Sequence, residues 1–582
     1  MESLDKFIQW AKENGSLIDK RLSFKISDKT GIQVVLDSKI DVDDKKVDNL
    51  LISVPEELLI TRKMAETHFH VTKEVSSKLD ECITNPNAIT QLYLSKLKFS
   101  DHDKGDSNQF FKPYLNILSL NLQQPYFWTA DELSLLKGTD LLIILRSDLI
   151  KLYDEWEQLL KILKIEHKKT GKDLKSNSEN IIVYIQNCLH DLHIGNVEWT
   201  SFISYLWSSC IFRSRAFPEV ILLDYQNVNN LQQAFLYPIV DLLNHKNDQR
   251  VKWVYSGGRV SFVSKELQNM ENGDEVYNNY GDKSNEELLL GYGFVEENNN
   301  HENSRLTLRL GATTIQSAKD FGIKLTNITD DNSCVQFIIS YKDPLPRELI
   351  YLFGYLEKLK SEDTLVNRSI LEGISELSKI LQSKLEFFKS HSKTGGQFSH
   401  GSVIKQYMSS QKKLYIKSIE SLQKFQKSTI KSIPSKEILS FKTIFKNDQL
   451  FANSLLFAFG ITSFEDLVRQ GYVKQALLLW IVRASNLTKN SHKKLPFSVP
   501  KYINDTFEEV SKSIVIEKND VMRFMDFYKQ LFPKLTVKIP EVYKEGDWGI
   551  RQFIVADTVI DHLVWVNPNN QEPLILNKIK FE

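Results

Sequence analysis

The chain has 582 residues, of which 42% are hydrophobic and 25% charged, an ordinary globular composition that argues against disordered, collagen-like and membrane classes. Its length exceeds what one hydrophobic core organises and predicts about two to four domains. Seventy-four Lys plus Arg balance seventy-four Asp plus Glu, so no global charge marks it as a nucleic-acid binder.

At the amino terminus Leu4, Phe7, Ile8 and Ala11 fall on one helical face and Gly15 follows as a stop, which predicts a short amphipathic helix. Ile32 to Leu36 and Leu50 to Val54 predict strands, separated by the charged loop DVDDKKVDN and closed by Pro55. From about Ala65 to Phe217 the pattern turns helical, with Leu142, Leu149, Leu152, Trp156, Leu159 and Leu163 recurring at helix-like intervals. Strand signals return at Leu236 to Val240. Val251 to Tyr255, the Gly257-Gly258 pair and Val260 to Val263 then predict a β-hairpin.

Asn298 to Asn300 has the composition of a polar surface loop. Beyond it helices dominate: Leu349, Leu352, Phe353 and Leu356 follow the i, i+3, i+4, i+7 spacing, and Thr462 with Glu465 predicts a capping box. Ser392 to Ser402, SKTGGQFSHGS, predicts a loop between helices. Ten lysines lie between Lys405 and Lys446, against Glu420 and Glu437 as the acids. A solvated helix face is the default for such a run, and an acidic or RNA-bearing partner is the alternative.

The longest apolar run, near Leu477 to Val482, is far short of the ~20 residues a membrane span needs, so no membrane association is expected. Cys82, Cys188, Cys210 and Cys334 are widely spaced without a CxxC pair, which predicts neither a disulfide framework nor a zinc cluster, and no bound metal. The expected compartment is the cytoplasm, with the nucleus second.

Three segments carry chemistry: RSRAF at Arg213 to Phe217, DLLNH at Asp241 to His245, and NNYG followed by NEELLLGYGF from Asn278 to Phe294. Taken singly, each has a bland reading. An Asn-His pair is usually a hydrogen-bonded structural element, Tyr280 is one of twenty-one tyrosines, and Tyr292 and Phe294 are core residues by default. Asn244 and His245 are expected at a strand end, and Tyr280 beside Gly281 in a turn that exposes its hydroxyl.

The ordered combination reverses these readings. DLLNH, followed some 35 residues later by NYG, NxEL and YGF, resembles the carboxy-terminal half of SET domains. The chain resembles the SET methyltransferases related to the plant Rubisco large-subunit lysine methyltransferase, especially the fungal ribosomal lysine methyltransferase branch with its elongation-factor relatives. The resemblance covers roughly residues 1 to 300, with FKPYLNIL, WTADELSLLKGT and SRAFPE resembling the family's insert, and continues more weakly beyond. It implies an α+β architecture: a split β-rich SET domain with a long helical insertion, followed by a mainly α-helical substrate-binding domain. The expected divisions are 1–64 and 236–297 for the two SET segments, 65–235 for the insertion and 298–582 for the helical domain.

It also implies a protein-lysine N-methyltransferase using S-adenosylmethionine, with Tyr280 as the catalytic residue. Gly31, Ile32, Gln33, Ser214, Arg215, Asp241, Asn244, His245, Tyr280 and Phe294 are the implied cofactor-binding residues, and Phe217 and Tyr292 the implied substrate-binding ones. One departure stands out, because the GxG of the amino-terminal loop is Gly31-Ile32-Gln33 here, leaving backbone groups of Ile32 and Gln33 as the expected contacts. The implied substrate is a protein of the translation machinery, first a ribosomal large-subunit protein and second translation elongation factor 1A, with RNA contact only through that substrate. The alternatives are an inactive SET-like binding module and a helical scaffold for ribosomal or RNA partners.

Overall fold

The computed structural model describes residues 2–27, 31–37, 49–100, 106–167, 177–222, 232–266, 270–329, 332–391, 398–487 and 497–581. The chain divides into two compact units, the first built from residues 1–304 and 388–412 and the second from 305–387 and 413–582.

The first unit opens with helix α1 (Glu2–Glu13), which buries Leu4, Phe7 and Ala11 and ends before Gly15 at φ +88°. Strands β1 (Leu17–Ile18), β2 (Leu22–Ser27), β3 (Gly31–Leu36) and β4 (Leu50–Pro55) follow. Most of the charged loop DVDDKKVDN lies outside the described residues. Helices occupy most of 62–215; the principal ones are α2 (Ala88–Phe99), α3 (Asp140–Ile162) and α4 (Phe202–Arg215). The periodic leucines of α3 are its buried face: Leu142, Leu149, Leu152, Trp156 and Leu159 are all inside, as an amphipathic pattern requires.

The chain returns to β structure in β5 (Ala216–Pro218), β6 (Ala234–Leu236), β7 (Val251–Ser256) and β8 (Arg259–Ser264). A four-stranded antiparallel sheet runs β1-β4-β8-β7, while β2 pairs with β3 and β5 with β6. The expected hairpin is β7–β8, with Gly257 and Gly258 both at positive φ in its turn, the conformation a two-residue hairpin loop demands.

Three expectations shift. The strand expected over Leu236 to Val240 stops at Leu236, because Pro238 cannot extend a ladder and Ile239 adopts φ +74° before a 3-10 turn at Val240–Leu242. A buried β-branched residue in that region is strained, and it redirects the chain into the DLLNH segment. Asn299 in the expected surface loop is buried, its amide donating to the Lys283 carbonyl and to Asn285 Oδ1. In the expected capping box the register is one residue later: Ser463 is the N-cap and accepts from the Asp466 N–H.

Helix α5 (Asn285–Tyr292) has a true capping box between Ser284 and Glu287 and ends on Gly293 in the left-handed conformation. The buried carboxylate of Glu302 accepts from the Asn285 backbone and side chain and from the Gln411 amide. Residues 388–412 are thereby tied into the first unit. Of the loop expected at Ser392 to Ser402, 392–397 lie outside the described residues, and Gly401 already begins a helix.

The second unit contains α6 (Arg347–Leu356), the larger part of α7 (Asn367–His391) and of α8 (Gly401–Ser432), and α9 (Val473–Leu487), α10 (Lys501–Ser513) and α11 (Ile550–Leu563). A three-stranded sheet, Ile438–Ser440, Pro573–Leu576 and Val564–Val566 in spatial order, completes it. Its core centres on Trp480, Leu479, Ile481 and Phe553, with Arg483 and Asp448 paired through two buried hydrogen bonds of 2.8 and 2.9 Å. This is the α+β architecture expected. Among the described residues no helix is long and apolar enough to cross a membrane, and no cluster of three or more His, Cys, Asp or Glu could hold a metal ion.

Candidate active site

The DLLNH and NNYG segments meet through backbone. His245 and Asn278 form a parallel bridge, the Asn278 N–H donates to the Asn244 carbonyl at 2.8 Å, and the Lys246 N–H to the Asn278 carbonyl at 3.1 Å. The expected strand end is therefore a crossing of two segments.

On this crossing the Tyr280 ring stacks on His245 (centroids 5.0 Å apart) and on Tyr292 (4.7 Å), and Phe294 packs edgewise on Tyr292. The Tyr280 hydroxyl is not exposed as the turn reading expected: it donates to the Leu243 carbonyl at 2.8 Å. Burial foremost pushes its ionisation well up, with Arg215 pulling the other way, so the phenol stays protonated near neutrality. Burial also pushes Tyr292 up to about 12.

The Tyr280 N–H donates to His245 Nδ1 at 3.0 Å. Nδ1 must then be unprotonated, so Nε2 carries the proton and donates to Asn247 Oδ1 at 3.2 Å. Burial, helped by Lys283 and His301, lowers the His245 pKa, which keeps this acceptor available.

A second group lies beneath. The Asp241 side chain is fully buried, accepts from the Tyr114 hydroxyl at 2.7 Å and pairs with Arg215 at 3.2 Å, while Arg215 also donates to the Asp241 carbonyl. Burial raises the Asp241 pKa, against the opposing pull of Arg215. Ser214, one residue earlier on α4, turns its hydroxyl to the Ile211 carbonyl.

At the third corner Asn244 Nδ2 donates to the Ile32 carbonyl at 3.1 Å and to Glu275 Oε1 at 2.7 Å, and Gln33 Nε2 donates to Glu275 Oε2 at 2.9 Å. The Ile32 carbonyl and the Gln33 amide thus engage protein partners, and Gly31 adopts φ +75° with open space where a side chain would begin. The structure therefore gathers Ile32, Gln33, Asn244 and His245 with Tyr280, Tyr292 and Phe294, and seats Arg215 on Asp241. Phe217 packs against Phe235, Tyr237 and Trp253.

Glu275 and Tyr114 were missed by motif reasoning. Glu275 lies in GDEVYNNYG, where its acid is one of several, and Tyr114 lies in FKPYLNIL; only folding brings either to the motif residues.

This split β framework, with a tyrosine set on two crossing segments, defines a SET-type methyltransferase. Over 74% of this chain and 93% of that chain it is similar to the structure of Rubisco LSMT bound to AdoMet, with a TM-score of 0.51 and 17% identity, a likeness that establishes the fold. Residues 303–433 match the EFM1 middle domain. The chain is 44% identical to protein-lysine N-methyltransferase EFM1 of Saccharomyces cerevisiae, over 100% of this chain and 98% of that protein. It is 29% identical to ribosomal lysine N-methyltransferase 1 of the same yeast, over 84% and 88% respectively. The chain belongs to the EFM1 family of protein-lysine N-methyltransferases. The inactive-module and scaffold alternatives find no support in these relatives.

Proposed function

We propose that the chain transfers methyl groups from S-adenosylmethionine to a lysine of translation elongation factor 1A, with Tyr280 at the centre of the reaction. The observation that carries the site is Tyr280 itself: ring stacked on two aromatics, backbone held by His245, hydroxyl proton directed at the Leu243 carbonyl. Elongation factor 1A replaces a ribosomal protein as first choice because the ribosomal enzyme of yeast is the less similar of the two yeast relatives, and its match falls short of the whole chain.

Two observations support a donor site at this crossing. Asp241 Oδ1 is buried without a hydrogen-bond partner, and Gly31 leaves room for close approach to backbone. A guanidinium at Arg215, an amide at Asn244 and the aromatic face of Phe294 are a donor set suited to a carboxylate, an ammonium and an adenine. Ser214 and the backbone of Gly31, Ile32 and Gln33 complete the residues we assign to the donor. When bound, the donor supplies an electrophilic methyl group on a sulfonium centre.

The chain's own residues do the rest. A free lysine with a pKa of about 10.4 is neutral only about once in a few thousand molecules at pH 7, and an apolar aromatic wall disfavours its ammonium form. Tyr292 supplies that wall. Because the Tyr280 proton is taken by Leu243, the lone pairs of its oxygen remain to accept a hydrogen bond from the incoming amine and so orient it. We assign Phe217 to the rim of the lysine site, and the second unit to substrate choice. The enzyme would act in the cytoplasm.

The experiment is methylation by the full-length protein, with labelled donor, of purified elongation factor 1A and of large ribosomal subunits, followed by mass spectrometry of the labelled protein. Label on the factor and not on the subunits is the expected result. Label confined to ribosomal proteins would refute the substrate, and absence of donor binding by calorimetry would refute the site.

A further inference from the structure

Five of the lysines counted between 405 and 446 share one geometry in the second unit. Lys413, Lys417, Lys424, Lys427 and Lys431 all lie on α8, and at 100° per residue they fall within an arc of about 80° extending about 27 Å along the axis. All five are exposed, and Glu420 is the acid on that arc. Leu414, Tyr415, Leu422 and Gln426 point inward on the opposite face. Lys417 Nζ donates to the Tyr341 carbonyl at 2.8 Å, which brings the loop carrying exposed Lys342 alongside. Phe425 packs 6.2 Å from Phe581, next to exposed Lys580. Asp343 is the acid on that loop.

A solvated helix normally interleaves charges at i and i+4, each pair contributing a few tenths of a kcal/mol. This one places like charges at Lys413 and Lys417, Lys424 and Lys427, and Lys427 and Lys431, with Glu420 as the acid among them, an excess that costs stability by like-charge repulsion. The cost has a use where a partner brings negative charge.

The chemistry of the stripe selects among partners. Among the described residues between 401 and 446 no large hydrophobic side chain is exposed. A membrane-surface helix needs an apolar face to insert, and a protein interface needs buried aromatic, aliphatic or arginine anchors. A row of lysines without either is sufficient for a polyphosphate backbone, whose binding is carried by neutralised phosphates and released counterions. RNA duplexes are recognised largely through phosphate and ribose contacts of this kind. We infer that the lysine stripe of α8 is an RNA-binding surface that engages the phosphate backbone of a duplex independently of base sequence.

The test uses the full-length protein and a fluorescent 20-base-pair RNA duplex, followed by anisotropy at several salt concentrations between 50 and 200 mM. Wild type should bind in the range of about 10⁻⁴ to 10⁻⁶ M, with affinity falling steeply with salt. The variant Lys424→Glu/Lys427→Glu/Lys431→Glu should bind at least tenfold more weakly, with a salt slope shallower by about 2 to 3, while donor affinity and melting temperature stay at wild-type values. Retained donor binding separates this inference from the methyl-transfer reading. Should charge reversal unfold the helix, the Gln triple variant at the same positions must show the same direction with a smaller loss. Reversal at exposed Lys319, Lys324 and Lys544, outside α8, should change affinity less than threefold. Equal binding by wild type and stripe variants, an equal loss on reversing the outside lysines, no duplex binding by wild type below 1 mM, or tighter binding of a polyglutamate peptide than of RNA would each overturn the inference, the last assigning the stripe to an acidic protein.

Discussion

Tyr280 is held mainly by its ring and backbone, through stacks on His245 and Tyr292 and the N–H bond to His245 Nδ1. Tyr280→Phe keeps all of these and loses only the bond to Leu243, at a cost to stability of about 1 kcal/mol. Single-turnover methylation should fall on the order of 10²-fold or more with donor affinity nearly unchanged; a fully active variant would remove Tyr280 from the reaction.

His245 gives the site a pH dependence. Its pKa lies below the ordinary 6.5, chiefly through burial, so the folded state favours the neutral ring. The stability this provides is complete above pH 6.5 and is lost as pH falls through the lower folded value. Thermal melts of wild type and His245→Asn between pH 8 and 5 should show a steeper acid decline for wild type; identical slopes would refute the lowered His245 pKa.

Gln33, where the family pattern has glycine, shares Glu275 with Asn244. Gln33→Gly should leave donor affinity within threefold, because Asn244 keeps its acceptor. Glu275→Ala removes that acceptor and should weaken donor binding about tenfold by calorimetry, the cost of an amide left without one partner.

At the scale of elements, Gly293 connects the helix bearing Tyr292 to Phe294. It sits at φ +82°, and a Cβ there would meet the Gln123 carbonyl carbon at 2.7 Å and the Gln124 nitrogen at 2.9 Å. Two penalties coincide, left-handed backbone and overlap with main chain that cannot swing aside. Gly293→Ala should therefore lower stability by about 2 kcal/mol or more and displace both aromatics. Gly291→Ala, where a Cβ meets nothing within 4 Å, is the matched control and should leave the melting temperature nearly unchanged. The Glu302 hub acts at the same scale, since it satisfies the first residue of α5 and the Gln411 amide together.

For the whole molecule the decisive fact is connectivity. The chain leaves the first unit after residue 304, returns to it over 388–412 and leaves again. Within that returning segment His400 stacks on Trp128 at 4.8 Å, and its backbone N–H and Nδ1 both engage Glu132. A fragment ending near residue 300 lacks these partners and exposes the face they cover. It is expected to melt well below the full chain, or to be insoluble, in circular dichroism scans; a fragment as stable as wild type would show that 388–412 contributes nothing. Substrate choice by the second unit is thus better tested by substitutions within 413–582 than by truncation.

Local pattern alone determined much of this protein. The apolar periodicity of α3 and the Gly257-Gly258 turn depend on neighbours within a turn or a hairpin, and such short-range rules are written in consecutive residues; the order of DLLNH, NYG and YGF was legible through its resemblance to SET domains. The reading failed where distant groups decide. Leu236 to Val240 carries strand-forming residues, yet Pro238 and the strained Ile239 turn the chain into DLLNH, whose His245 meets Tyr280 35 residues away. Glu275 and Tyr114 matter through hydrogen bonds to Asn244 and Asp241, residues 31 and 127 positions distant. Asn299 reads as surface until the Lys283 carbonyl and Asn285 satisfy its amide. In each case the tertiary structure decided, because burial and hydrogen-bond pairing are properties of where the chain meets itself.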